Sequence, residues 1–81
     1  MNLQNIDIYK NCYVESLEID SGIVNDNLEY NSVPEWDSIG HMSLIASLEE
    51  AFNISIETDD IIDFSSFKKG IEILGKYGVK F

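Results

Sequence analysis

The chain is predicted to be all-α, a small four-helix bundle with a short third helix and a long first loop, and three observations predict it. Apolar residues recur at spacings of three and four in separate stretches, the period of a helix with one buried face. Clusters of turn-forming residues divide those stretches. The only alternating pattern, Ile54 and Ile56 against Ser55 and Glu57, holds two apolar residues and has no second strand to pair with.

The first helix is expected over residues 3–17. Ile6, Tyr9, Tyr13 and Leu17 fall on one face, Leu3 and Cys12 extend the stripe, and Gln4, Asp7, Lys10, Asn11 and Glu15 occupy the wet side. A long connection follows, over 18–36. Asp20-Ser21-Gly22 and Asn25-Asp26-Asn27 are turn chemistry, and Pro34 biases Val33 to an extended shape. A connection this long in a small domain points to function or to its own buried anchors, for which Leu28, Tyr30 and Val33 are the candidates; a short helical turn inside it is left open. The second helix spans 38–52, with Ser38 as its N-cap and Asp37 adding negative charge at the positive end of the dipole. Leu44, Ile45, Leu48, Ala51 and Phe52 form its core stripe, and Asn53, tolerant of the left-handed region, stops it. Ile54 and Ile56 then read as an extended loop pinned to the core. A short third helix is expected over 58–63, capped by Thr58, with Asp59 and Asp60 in its first turn and Ile61 and Phe64 facing inward. The last helix runs over 66–77 behind a Ser65 or Ser66 cap, on Phe67, Gly70, Ile71, Leu74 and Tyr77; Gly70 within it signals close packing, and Gly78 terminates it.

No repeat, low-complexity stretch or second domain is visible, so residues 1–81 read as one domain. Hydrophobic residues make up 44% and charged residues 25%, the balance of a folded chain. Fifteen acids against five bases give a formal net charge of −10, which argues against nucleic acid or an anionic membrane as partner and for basic proteins instead. Cys12 is the only cysteine, so no intramolecular disulfide forms; within an apolar-periodic segment it reads as a small core residue. No signal pattern or span of about 20 apolar residues is present, and a cytoplasmic monomer is expected.

The second helix carries the functional signal. A serine at a helix start is by itself only a cap. Here an Asp precedes it, apolar residues on two faces follow it, and Glu49 and Glu50 lie further along. Ile39, Met42 and Ala46 lie on a face next to Ser43, Glu49 and Glu50, and a small bundle does not bury both faces of one helix. Apolar surface rimmed by acids is therefore expected to be exposed as a partner site, unless the long loop packs over Ile39 and Met42. An enzyme reading finds little support. His41, the only histidine, is one turn from Ser38, but no orienting third group or oxyanion nest accompanies the pair, and His41 is expected at the surface or rim. No Gly-rich phosphate loop, His/Cys cluster or calcium-loop spacing is present.

Asp37-Ser38-Ile39, with Met42, Leu44-Ile45, Leu48-Glu49-Glu50 and Phe52, resembles the acyl carrier proteins, and the Trp36-Asp37-Ser38 start looks more like the stand-alone carriers of specialised pathways. The resemblance runs from about Asn5 to Tyr77 and is specific between Trp36 and Phe67. It implies a four-helix bundle and a non-catalytic shuttle. Ser38 would carry a 4′-phosphopantetheine arm, installed by a separate phosphopantetheinyl transferase from coenzyme A with Mg²⁺, and an acyl group would ride on the arm as a thioester. Asp37, Ile39, Met42, Ala46, Glu49 and Glu50 stand where the family meets basic patches on its acyl ligases, synthases and transferases. Ile56, Ile61, Phe64 and Phe67 stand where it lines the cleft between the second and third helices. The chain departs from the fatty-acid members at Gly40 and Ser43, where acids are usual, and at His41, where a small polar residue is usual. Bulky Ile61, Phe64 and Phe67 lead to the expectation of a short or polar cargo. The alternatives are a peptidyl or aminoacyl carrier, and an unmodified acidic adaptor that binds a basic partner through the second helix.

Overall fold

The computed structural model describes residues 4–81, which form four helices and no strand. Helix α1 (Asn5–Leu17) buries Tyr9, Cys12, Tyr13 and Leu17 of the predicted stripe, while Ile6 is half-buried; the expected contribution of Leu3 lies outside the described residues. Glu18 closes α1 in the left-handed region at φ 55°. Helix α2 (Ser38–Phe52) buries Leu44, Ile45 and Leu48 against α1, and Asn53 ends it at φ 54°. Helix α3 (Thr58–Asp63) has six residues, and helix α4 (Phe67–Lys76) has ten.

The ends correct two expectations. Ser38 is not the cap of α2 but its first helical residue: Asp37, one residue earlier, is extended, and its carboxylate accepts from the Gly40 amide at 2.8 Å and caps the helix instead. Thr58 is likewise the first residue of α3, behind Glu57, which makes no side-chain cap. Ser66 does cap α4, accepting from the Lys69 amide at 2.9 Å. Ala51, expected in the core stripe of α2, is exposed because it lies at the edge of that stripe, while Ile73, outside the predicted set, is buried on α4.

The long connection after α1 is anchored more heavily than Leu28, Tyr30 and Val33 suggested. It makes a 3₁₀ turn at Ser21–Ile23 and buries Ile19, Val24, Leu28 and Trp36; Tyr30 stays exposed and Val33 is half-buried. Its backbone is also stitched to the α3–α4 junction, with Tyr30 N bonded to Ser65 O and Phe67 N to Leu28 O, both at 2.9 Å. The core it closes is aromatic. Tyr13 meets Trp36 edge-on at 5.3 Å between ring centres, and Tyr9 lies 4.7 Å from Phe67. The Tyr9 hydroxyl donates to Phe67 O at 2.6 Å and stands 2.8 Å from the Tyr13 hydroxyl, so Tyr13 donates to Tyr9 and both buried oxygens are satisfied. Burial pushes both phenols well above their ordinary range, so they stay neutral. Burial also raises the Cys12 thiol, in keeping with a core residue rather than a nucleophile. Gly70 is required here: a Cβ would collide with the Tyr9 hydroxyl and the Phe64 ring.

Candidate functional site

The site forms where the long connection delivers the chain into α2. Trp36 is fully buried and fixes the entry; Asp37 caps; Ser38 follows, exposed, on the first turn. Gly40 keeps this entry tight, because a Cβ there would collide with the Glu35 carbonyl oxygen. The absence of an acid at Gly40 therefore has a steric cause: the loop lies across the helix at that point.

Ser38 lines a cavity of about 380 Å³ between the start of α2 and α3. Met42 and His41 line the α2 side, Ile61, Ile62 and Phe64 the α3 side, and Tyr30 and Ser65 close the far edge. The lining is mostly apolar. Of the lining, Met42 is 56% and Ile62 73% accessible, and Ile39, the residue after Ser38, is 80% accessible. Hydrophobic side chains this accessible beside a helix start suit contact with another molecule. The long loop does not cover Ile39 or Met42.

Of the predicted partner-contact residues, Asp37, Ile39, Met42, Ala46 and Glu50 are exposed along α2. Glu49 differs. It is half-buried, and its Oε2 accepts from the Ile56 amide at 2.8 Å, so it holds the α2–α3 loop rather than standing free. Of the predicted cleft residues, Ile61 and Phe64 line the cavity. Ile56 and Phe67 do not: both are core residues, 6% and 2% exposed, and Phe67 packs on Tyr9 and Tyr13. In their place the cavity uses Tyr30, His41, Ile62 and Ser65.

His41 is half-buried and bonded through both ring nitrogens, not the free rim residue expected from its place on the helix. Trp36 Nε1 donates to Nδ1 at 2.9 Å, and Nε2 stands 2.8 Å from Ile61 O. Since indole only donates, Nδ1 is the acceptor, and Nε2 carries the proton given to the carbonyl. A ring so engaged has no free nitrogen to take a proton from Ser38, which removes the Ser–His hydrolase reading. The signal for this was a lone Trp and a lone His five residues apart across a helix start. Among the described residues, no group of three or more His, Cys, Asp and Glu side chains is placed to hold a metal ion, and no helix is long and apolar enough to cross a membrane.

Electrostatics are one-sided. Between Lys10 and Lys68 the chain has no Lys or Arg, so the whole of α2, α3 and the loop before them carries only acids. No family profile, curated protein or solved structure matches the chain.

Proposed function

We propose that the protein is an acyl carrier protein, modified on Ser38 with a 4′-phosphopantetheine arm. The observation that supports this most is the exposed Ser38 hydroxyl on the first turn of α2, at the mouth of an apolar cavity. Its position suits attachment. A transferase reaches an exposed Oγ directly; the O–P bond forms there as the phosphoanhydride of coenzyme A breaks and its nucleotide half leaves. The phosphodiester that results is anionic. The leading amides of α2, which have no intrahelical acceptor, face such a charge favourably. Asp37 opposes it by proximity, but its carboxylate is already committed to the Gly40 amide. The bound arm would supply a terminal thiol on which cargo rides as a thioester.

The chain's own residues supply recognition. The base-free stretch from 11 to 67 draws basic partner surfaces by long-range attraction, which raises encounter rates without tight binding. Ile39, Met42 and Ile62 then give a small apolar contact. The open, mostly apolar cavity of about 380 Å³ beside Ser38 offers an acyl group shelter from water. Partners of this kind are acyl ligases, synthases and transferases. An unmodified acidic adaptor would use the same surface but has no need of Ser38 or the cavity beside it.

Incubation with coenzyme A, Mg²⁺ and a broad-specificity phosphopantetheinyl transferase tests the reading by intact mass. The expected result is one phosphopantetheine increment on the wild type and none on Ser38→Ala. No increment on folded wild-type protein overturns the carrier reading in favour of the adaptor. Loading of the modified protein by acyl and by aminoacyl ligases separates an acyl carrier from a peptidyl or aminoacyl one.

A further inference from the structure

We propose that His41 is a positioning residue: a strut between Trp36 and α3 that sets the opening of the cavity beside Ser38. Helix α3 holds its place by little burial of its own: none of its six residues is fully buried, Ile61 packs only partly against the core, and its start has no side-chain cap. Its last carbonyls are also short of helical partners, as in any helix. His41 meets that need from outside. Nε2–H donates to Ile61 O at 2.8 Å, an oxygen that otherwise, among the described residues, accepts one long bond of 3.4 Å from the Phe64 amide. The ring is fixed at its other edge by the Trp36 indole, bonded at 2.9 Å with the two ring planes only 22° apart, and Trp36 is itself fully buried. Tyr30 and Phe64 meet the ring edge-on, with centres 5.5 and 6.0 Å away. A rigid core residue thus reaches one turn of a loosely packed helix through a single imidazole of defined tautomer.

The consequence falls on the cavity. Ile61, Ile62 and Phe64 are its α3 wall, while Ser38 and Met42 are fixed by α2, and His41 spans the two. Losing either bond of the strut loosens Ile61 and Ile62 on that wall, while Phe64 stays in the core, without touching Ser38 or the α1–α2 core. The strut exists in the unmodified chain; only its bearing on a tethered acyl group rests on the carrier reading, which the mass increment on Ser38 tests separately.

The test uses the unmodified full chain. Long-range ¹H–¹⁵N spectra should show His41 neutral, with Nδ1 bare and Nε2 protonated. Amide exchange at Ile61 and Phe64 is then measured against the Gly70 amide of α4, so that a global loss of stability cancels. His41→Phe keeps a flat ring but neither bond, and should raise that ratio about tenfold or more. His41→Gln, whose amide carries one acceptor and one donor, should restore most of it. Trp36→Phe, which removes the indole donor to Nδ1 and no hydrogen bond of α3, should also raise it if the strut is continuous. Nile red binding, as a probe of cavity opening, should follow the same order. A Nδ1-protonated ring, a ratio unchanged in His41→Phe, or Gln no better than Phe overturns the proposal. Should His41→Phe fail to fold, the wild-type tautomer and the Trp36→Phe ratio decide it.

Discussion

Helices α3 and α4 are neighbours in the chain, separated by Phe64–Ser66, yet they are held by different physics. Helix α4 buries Phe67, Gly70, Ile73 and Leu74 and starts on a side-chain cap. Helix α3 buries no residue fully and starts without one. Beside the partial packing of Ile61, directional bonds to single atoms hold it: His41 to Ile61 O, Asp60 to Lys76 and Tyr77, and the Tyr77 hydroxyl accepting from the Glu57 amide. The difference teaches where the bundle can change shape. Removing α4 means exposing the core, whereas α3 needs only the exchange of a few bonds, and α3 is the element that walls the cavity beside Ser38.

The largest expected effect breaks the α4 side. Phe67 is 2% exposed and packs on Tyr9 and Tyr13, so Phe67→Ala should cost about 3–5 kcal/mol in chemical denaturation. A loss below about 1 kcal/mol would mean that α4 is not held by burial. A paired comparison of caps is the sharper, smaller test. Ser66→Ala removes the bond to the Lys69 amide and should cost about 1 kcal/mol. Thr58→Ala, at the matching helix start of α3, removes no cap and should stay within about 0.5 kcal/mol of the wild type. Equal losses at both sites would erase the distinction.

How much of this was legible in the sequence follows from the same contrast. Burial leaves a periodic trace, so the α1 stripe, Leu44, Ile45 and Leu48, and the close approach at Gly70 were all readable. The exposed Ile39 and Met42 were readable too, as an apolar face that a small bundle has no room to cover. Single directional bonds leave no such trace. Glu49 looked like a surface acid because nothing in its own helix reveals the Ile56 amide seven residues on. His41 looked free because its partners come from a loop and from another helix. Sequence alone does not choose between Asp37 and Ser38 as the cap, because aspartate and serine both cap well and only backbone geometry decides between adjacent candidates. Trp36 passed for a motif residue, since a lone aromatic in a loop has no period to mark it as core.

The smallest effect concerns the polar ties of α3 and is read through pH. Both oxygens of Asp60 are engaged, Oδ1 by Lys76 and Oδ2 by the Tyr77 hydroxyl, each at 2.6 Å. The bonds from Lys76 and then Tyr77 hold the Asp60 carboxyl below its usual range, and the same bonds raise Lys76 and Tyr77. A carboxyl depressed on folding stabilises fully above its unfolded value of about 3.9 and loses that contribution as pH falls through the folded value. Raised Lys76 and Tyr77 work in the opposite sense: their contribution is complete below their unfolded values near 10 and fades as pH climbs through the folded ones. The tie is therefore whole across neutral pH and fails at both extremes. Lys76 is 61% exposed, so water and salt screen its charge, and the effect belongs to α3 rather than to the global fold. Asp60→Asn should leave the α4 amides unchanged at neutral pH while α3 amides exchange faster. As pH falls from about 4 through the depressed folded value, the wild type should approach the variant, since the folded carboxyl then takes up its proton. Added salt should narrow the gap at neutral pH in the same direction. An acid-induced change that strikes α4 as strongly as α3 would place the two helices in one cooperative unit, and the contrast between them would not survive it.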